Sequence, residues 1–247
     1  VAVLDHITSQ TALVLPLERL VPALQARGIF VLIDGAHGPG MLPLALDDLN
    51  ADAYTGNLHK WVCAPKGAAF LHVRRDRQPG IRPLAISHGA NASVVGTSRF
   101  RVELDWTGTA DPTAALVLAT ALDTVGGLAP GGWDGVRQAN HALVVAGRRL
   151  LADALDIPLP CPDALLGSLA ALPLPDAPPG SRPSRHNTEP LQDALWERWR
   201  IEVPLIPWPA RPARLVRISA QRYNAPAQYA RLARALTVEL AAERDAG

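Results

Sequence analysis

"IFVLIDGAHGPG", Ile29 to Gly40, decides how this chain folds. Five apolar residues run unbroken into Asp34, and glycines 35, 38 and 40 follow. A strand with one face in water alternates apolar and polar residues; an unbroken run suits a strand buried on both faces. That is the condition of a parallel sheet covered by helices. The strand ends on a carboxylate. In an open parallel sheet, ligands bind just beyond the carboxyl ends of the strands.

The flanking sequence extends the same architecture. "VAVLD" (1–5) is β-rich. From Pro16 to Arg27, Leu17, Leu20, Val21 and Leu24 fall at helical spacing, and Gly28 is placed to close the helix. "ADAY" (51–54) and "AAFLHV" (68–73) read as two more strands. Strand, helix, strand, loop, strand, strand makes an open α/β sheet. A helix is predicted from Asp111, a good N-cap followed by Pro112, to Val125, with Gly126 and Gly127 ending it. "LAPGGWDG" (128–135) reads as a joint. A long helix follows over 136–155, with Leu143, Gly147, Leu150 and Leu151 on one face. Then the pattern changes. "LLGSLAALPLP" (165–175), "EVPLIPW" (202–208) and "RLVRISA" (214–220) read as strands. "DAPPGSRPSRHN" (176–187) reads as a loop, and a helix runs from Thr188 and Pro190 to Arg200. Tyr229, Leu232, Leu236 and Leu240 mark a last amphipathic helix. The expected division is a large-domain part over 1–130, a connecting helix over 131–155, and a small α+β domain over 156–247.

Composition narrows the classes. With 247 residues, 48% hydrophobic and 19% charged, the chain can bury a substantial core. A net charge of +1 without basic runs points away from nucleic acid and from anionic membrane surfaces. No apolar stretch reaches the roughly 20 residues that span a bilayer. "VAVLDHITS" has no basic flank and does not read as a signal peptide. Cys63 and Cys161 stand in unlike contexts and read as reduced thiols of a cytoplasmic protein rather than as a disulfide. The sequence opens inside a strand without an initiator Met. It is therefore expected to be the C-terminal portion of a longer protein, with a processed product as the alternative.

Five features could carry chemistry. "GNLHKW" (56–61) holds Lys60, one of two lysines against 22 arginines. Apolar surface and a second cation lower a lysine's pKa and free its amine as nucleophile or base. A guanidinium cannot do this work, so arginine could not replace it. A surface lysine is the plain alternative. Asp34 can stay ionised beside a cationic ligand, or be an ordinary loop aspartate. His37 lies in a glycine-flanked loop. A metal pair with His59 or His88 is discounted, because no HExxH or CxxC pattern is present, and no metal is expected. "DWTGTADP" (105–112) sets Thr107, Gly108 and Thr109 before a helix, which suits an anion or a plain loop. Arg217 points opposite to Val216 and Ile218. It faces either solvent or a cleft where it could hold a carboxylate in bidentate fashion.

Asp34-Gly-Ala-His37, Gly56-Asn-Leu-His-Lys60-Trp61, Thr107-Gly-Thr109 and Arg217-Ile-Ser219 occur in that order. Over roughly residues 1–240 the set resembles the class V aminotransferase branch of the fold-type I pyridoxal-phosphate (PLP) enzymes, most nearly the isopenicillin N epimerase-like members. The resemblance implies the C-terminal part of a PLP-transferase large domain, a mostly parallel sheet with helices, followed by a small α+β domain. It implies pyridoxal 5'-phosphate as cofactor, bonded covalently by Lys60, which also shuttles the Cα proton. Asp34 would pair with the pyridinium nitrogen, and His37 with the ring's phenolic oxygen, with Thr8 or Ser9 nearby. Asn57 and His59 would bind the phosphate. Gly108 and Thr109 would reach the phosphate of the partner subunit in a homodimer with shared sites. Arg217 would bind the substrate α-carboxylate. Family members carry a further N-terminal stretch, so the chain alone is expected to bind the cofactor weakly or not at all, without turnover.

The expected reaction is epimerisation or transamination at the α-carbon of an amino acid or a substrate derived from one. A C–S lyase is an open alternative. A persulfide-forming desulfurase is not expected, since no cysteine lies between Arg182 and Arg217. The competing class is a non-catalytic α/β fragment or partner subunit. The retention of Asp34, His59 and Lys60 speaks against it.

Overall fold

The computed structural model describes residues 1–184 and 188–245. The chain forms two compact units. The first comprises Val1–His6 and Pro16–Thr124; the second comprises Ile7–Leu15 and Val125–Gly247.

The first unit is built on a four-stranded sheet in the order β1 (Ala2–Asp5), β2 (Val31–Asp34), β3 (Ala53–Asn57), β4 (Ala69–Val73). β1, β2 and β3 are parallel, and β4 returns antiparallel to β3. As the apolar run of β2 requires, Val31 and Ile33 are fully buried, while Asp34 emerges at the strand end. Helix α1 (Leu17–Gln25) packs Leu17 and Val21 inward, and Gly28 turns the chain back at φ +71°. Two short elements follow their strands: α2 (Leu46–Leu49), and α3 (Arg99–Leu104), whose N-cap Ser98 accepts from the Arg101 N–H.

At the amino ends of these strands sits Asp52, with no solvent exposure. It accepts from the Val31 N–H at 2.9 Å, Gln25 Nε2 at 3.2 Å and Arg77 Nε at 2.7 Å, with Arg74 at 3.2 Å. Burial alone would raise its pKa. The hydrogen bonds from Val31, Gln25 and Arg77 and the charge of Arg74 outweigh that and hold it below the usual carboxylate value.

The helix expected over 111–125 forms in two pieces, α4 (Thr113–Leu116) and α5 (Leu118–Gly126), with Val117 out of helical geometry between them. Asp111 still does the work of a cap. Its Oδ1 accepts from the Thr113 N–H at 2.9 Å. The glycine-rich stretch read as a joint is partly helical: α6 runs from Gly132 to Leu155 and ends at Asp156 in the left-handed region.

The second unit is an antiparallel sheet in the order β5 (Leu169–Leu174), β7 (Arg214–Ser219), β6 (Leu205–Pro207). Its core holds Val144 and Leu151 of α6, Leu191 and Leu195 of α7 (Pro190–Trp199), and Leu232 and Leu236 of α8 (Pro226–Asp245). Alternate residues of the strands complete it, including Val216 and Ile218. The buried face of α6 runs through Val136, Asn140, Val144, Gly147, Arg148 and Leu151, with Leu143 and Leu150 at its margin. Arg148 hides this face in the sequence. It is buried because its guanidinium pairs with Asp163 and donates to the Cys161 carbonyl at 2.9 Å. α7 begins at Pro190, and Thr188 hydrogen-bonds Asp193 ahead of it. Positions 185–187 of the loop read over 176–187 lie outside the described residues.

Candidate active site

The carboxyl ends of β2 and β3 run directly into the two motifs singled out in the sequence. Asp34 closes β2, and its Oδ1 accepts from the Ala36 N–H at 3.0 Å, which curls the chain into the Gly35–Gly40 turn. Asn57 closes β3, and the chain turns through Leu58, His59 and Lys60. The two turns are fastened to each other. The Gly35 N–H donates to the Thr55 carbonyl at 2.9 Å. The indole Nε1–H of Trp61 donates to Nδ1 of His37 at 3.3 Å. The sheet therefore carries Asp34, His37, Asn57, His59 and Lys60 on neighbouring turns.

Local packing explains the glycines. A β-carbon on Gly35 would lie 2.0 Å from the Tyr54 ring, and one on Gly38 would lie 2.2 Å from the Tyr54 hydroxyl. On Gly56 it would meet the Phe70 ring at 2.4 Å and Pro39 at 2.8 Å. The turn thus rests directly on an aromatic layer, in which Tyr54 stacks on Phe70 with centroids 6.1 Å apart.

Tyr54 is itself anchored. Its hydroxyl hydrogen-bonds Nδ1 of His6 at 2.9 Å, and the His6 N–H donates to the Asp34 carbonyl at 2.9 Å. Burial raises the Tyr54 pKa, reinforced by the Asp34 charge, so the phenol stays protonated. Burial lowers that of His6, against a smaller opposing effect of Glu18. With both groups neutral, they share one hydrogen bond whose direction follows the His6 tautomer. Asp5, paired in register with Asp34, is raised by burial and then by the Asp34 charge. Sequence reasoning missed Tyr54, His6 and the polar role of Trp61. The available signal was a large aromatic in the small-residue strand "ADAY", paired with glycines 35 and 38 that leave it room.

His59 Nδ1 donates to the Ala68 carbonyl at 3.0 Å, which fixes its ring and leaves Nε2 as the other ring nitrogen. Cys63 ends the turn after Lys60 at φ +58°. Gly108 and Thr109 stand exposed in the loop between α3 and α4. In the second unit, Thr8 Oγ1 hydrogen-bonds Thr11 Oγ1 at 2.6 Å and accepts from the Leu13 N–H at 2.8 Å. Ser9 meets Arg217, whose Nη1 donates to the Ser9 carbonyl and to its Oγ at 3.2 Å. The structure thus pairs Ser9 with Arg217, a link the sequence did not suggest. Among the described residues, no group of three or more His, Cys, Asp or Glu side chains is placed to hold a metal ion. No helix there is long and apolar enough to cross a membrane.

The family described as Aminotransferase class-V matches residues 1–157, well over half of the chain. The chain belongs to the class V aminotransferase family. Pyridoxal 5'-phosphate is the cofactor of that family. Among curated class V relatives, a protein named "Probable L-cysteine desulfhydrase, chloroplastic" from Arabidopsis thaliana is 34% identical over 238 residues, covering 94% of this chain and 49% of its own. The isopenicillin N epimerase of Amycolatopsis lactamdurans is 35% identical over 244 residues, covering 94% and 58%. The chain therefore spans about half the length of the curated relatives it matches.

Solved structures agree on the fold. The apo cysteine desulfurase of Thermococcus onnurineus NA1 aligns at TM-score 0.75 and 18% identity over 97% of this chain and 60% of its own. The cystine C–S lyase C-DES, solved with cysteine persulfide, aligns at 0.69 and 23% over 95% and 60%. The fold is thus the expected kind: an α/β unit on a mostly parallel sheet and an α+β unit, which together align with about 60% of the length of these PLP-enzyme folds.

Proposed function

We propose that this protein serves a PLP-dependent reaction at the α-carbon of an amino acid or a substrate derived from one, with Lys60 as the amine that bonds the cofactor. The observation that carries the reading is the fastening of the Asn57–Lys60 turn to the Asp34–Gly40 turn at the carboxyl ends of β2 and β3. The side chains fit the cofactor's chemistry: an amine for its aldehyde, a carboxylate for its pyridinium N–H, and nitrogen donors for its phosphate. When bound, the cofactor supplies an electron sink that acidifies the substrate's Cα–H.

The chain's own residues take the remaining roles. Asp34 keeps the ring nitrogen protonated. His37, with Nδ1 accepting from Trp61, carries its neutral-state proton on Nε2 and offers it to the phenolic oxygen, and Thr8 or Ser9 adds to that environment. Asn57 holds the phosphate through its amide N–H, and His59 through Nε2–H when its ring carries both protons, since Nδ1–H is committed to the Ala68 carbonyl. Lys60 Nζ removes the Cα proton and returns it. Arg217 binds the substrate α-carboxylate. The protein works as a homodimer in the cytoplasm, with Gly108 and Thr109 reaching the partner subunit's phosphate. Return of a proton to Cα from the opposite face gives epimerisation; its return to the cofactor carbon instead gives transamination. A second reading, C–S bond cleavage, is favoured by the desulfhydrase relative, which aligns over 94% of the chain.

Borohydride reduction of the chain mixed with pyridoxal phosphate tests the assignment, because it traps even sparse occupancy. Peptide mapping is expected to find the cofactor mass on Lys60. Lys60→Arg abolishes the label and Lys66→Arg keeps it. Label on Lys66, or label surviving Lys60→Arg, overturns the reading. Sulfide release from L-cysteine separates the lyase from the epimerase.

A further inference from the structure

A cavity of about 370 Å³ opens in the second unit beside Arg217. It is walled in part by Arg200, Glu202, Arg217, Tyr223, Asn224 and Arg231. Three guanidinium groups against one carboxylate give it a strongly cationic lining. Elsewhere in this unit Arg198 pairs with Glu239, Arg211 with Glu189, and Arg214 with Glu243. Among the described residues, no carboxylate pairs with Arg200, Arg217 or Arg231. Arg217 and Arg231 hydrogen-bond neutral oxygens instead, Arg217 those of Ser9 and Arg231 the Trp199 carbonyl.

Arg217 is the half-buried member, and burial pulls its pKa down. Its Nε is buried without a hydrogen-bond partner among the described residues. A guanidinium taken from water without a carboxylate is costly unless a ligand supplies the anion. At about 30 Å³ per water-sized group the cavity holds roughly a dozen such groups, more than one α-carboxylate needs.

We propose that this cavity is a subsite for a second anionic group, so that the substrate is an amino acid whose side chain ends in a carboxylate. The proposal rests on the reading of Arg217 as the α-carboxylate ligand. Arg231, with Arg200 beside it, takes the distal carboxylate, and the polar side chains of Tyr223 and Asn224 line the passage between them.

Calorimetric titration of the full chain with L-glutamate, L-2-aminoadipate, L-glutamine and inorganic phosphate tests it. The acidic amino acids are expected to bind about ten-fold more tightly than L-glutamine. Arg231→Gln, at an exposed position, removes that preference and leaves L-glutamine binding unchanged; Arg200→Gln reduces it. Arg217→Gln weakens all three amino acids. Equal binding of L-glutamate and L-glutamine, with both weakened by Arg217→Gln, overturns the subsite and leaves the α-carboxylate role standing. Binding of every ligand unchanged by Arg217→Gln overturns both. Phosphate binding as tightly as L-glutamate marks a general anion pocket and overturns the side-chain assignment.

Discussion

The indole N–H of Trp61 donates to Nδ1 of His37 at 3.3 Å, across 24 residues of sequence. A tryptophan N–H only donates, so Nδ1 of His37 must be an acceptor and the neutral ring must carry its proton on Nε2. Trp61 thus sets the tautomer of one turn from the other. Trp61→Phe keeps an aromatic ring and deletes the donor. The expected outcome is a mixture of imidazole tautomers at His37, read from ring ¹⁵N shifts, and a stability loss of about 1 kcal/mol. An unchanged ¹⁵N pattern would show that another contact sets the tautomer.

The Asp34–Gly40 turn has no room for side chains at its glycines, because Tyr54 fills the space. Tyr54 is fully buried and cannot swing away. Gly35→Ala is therefore expected to destabilise the protein by about 1–3 kcal/mol in urea unfolding. Adding Tyr54→Leu to Gly35→Ala should cost less than the sum of the two single changes, since the smaller side chain admits the new methyl. Strict additivity would mean that Tyr54 does not limit the turn.

The buried His6 makes stability depend on pH below neutrality. Burial lowers the His6 pKa below its ordinary value of 6.5. The folded state thus binds this proton less readily than the unfolded chain. The His6 contribution is complete above about pH 6.5 and is lost as pH falls through the depressed folded value. Urea midpoints measured across that window should decline towards acid. His6→Gln removes the titrating ring, so its decline should flatten, whereas Tyr54→Phe, which leaves His6 buried, should keep it.

How far the sequence was readable differs by level. The apolar run Val31–Ile33 set the parallel sheet, because a run buried on both faces has few other homes. Asp34 and Lys60 could be named because strand ends and an isolated lysine among arginines are local signals. The break at Val117 was not legible, since nothing in its composition interrupts an otherwise helical stretch. Arg148 misled for the opposite reason. Its buried position depends on Asp163 and the Cys161 carbonyl, partners supplied by tertiary structure. The Ser9–Arg217 contact spans 208 residues and has no signature in either segment.

Asp52 offers the sharpest test of the first unit. Its carboxylate is wholly buried and joins Val31 of β2, Gln25 of α1, and Arg74 and Arg77 after β4. Asp52→Asn keeps the size and an acceptor for the Val31 N–H but removes the charge that both arginines face. The expected loss is about 3 kcal/mol, the low end for a broken buried ion pair, because Arg74 and Arg77 retain partial contact with water. Asp76→Asn, on an exposed carboxylate of the same Arg74, should leave the urea midpoint nearly unchanged. The pH dependence has a defined sign. The folded pKa lies below the ordinary 3.8, so the stabilisation is complete above about pH 3.8 and is lost as pH falls through the depressed value. Wild-type protein should therefore lose stability faster than Asp52→Asn as pH falls below about 3.8, and the two curves should converge. Parallel curves would mean that Asp52 contributes shape and hydrogen bonding but no net charge stabilisation.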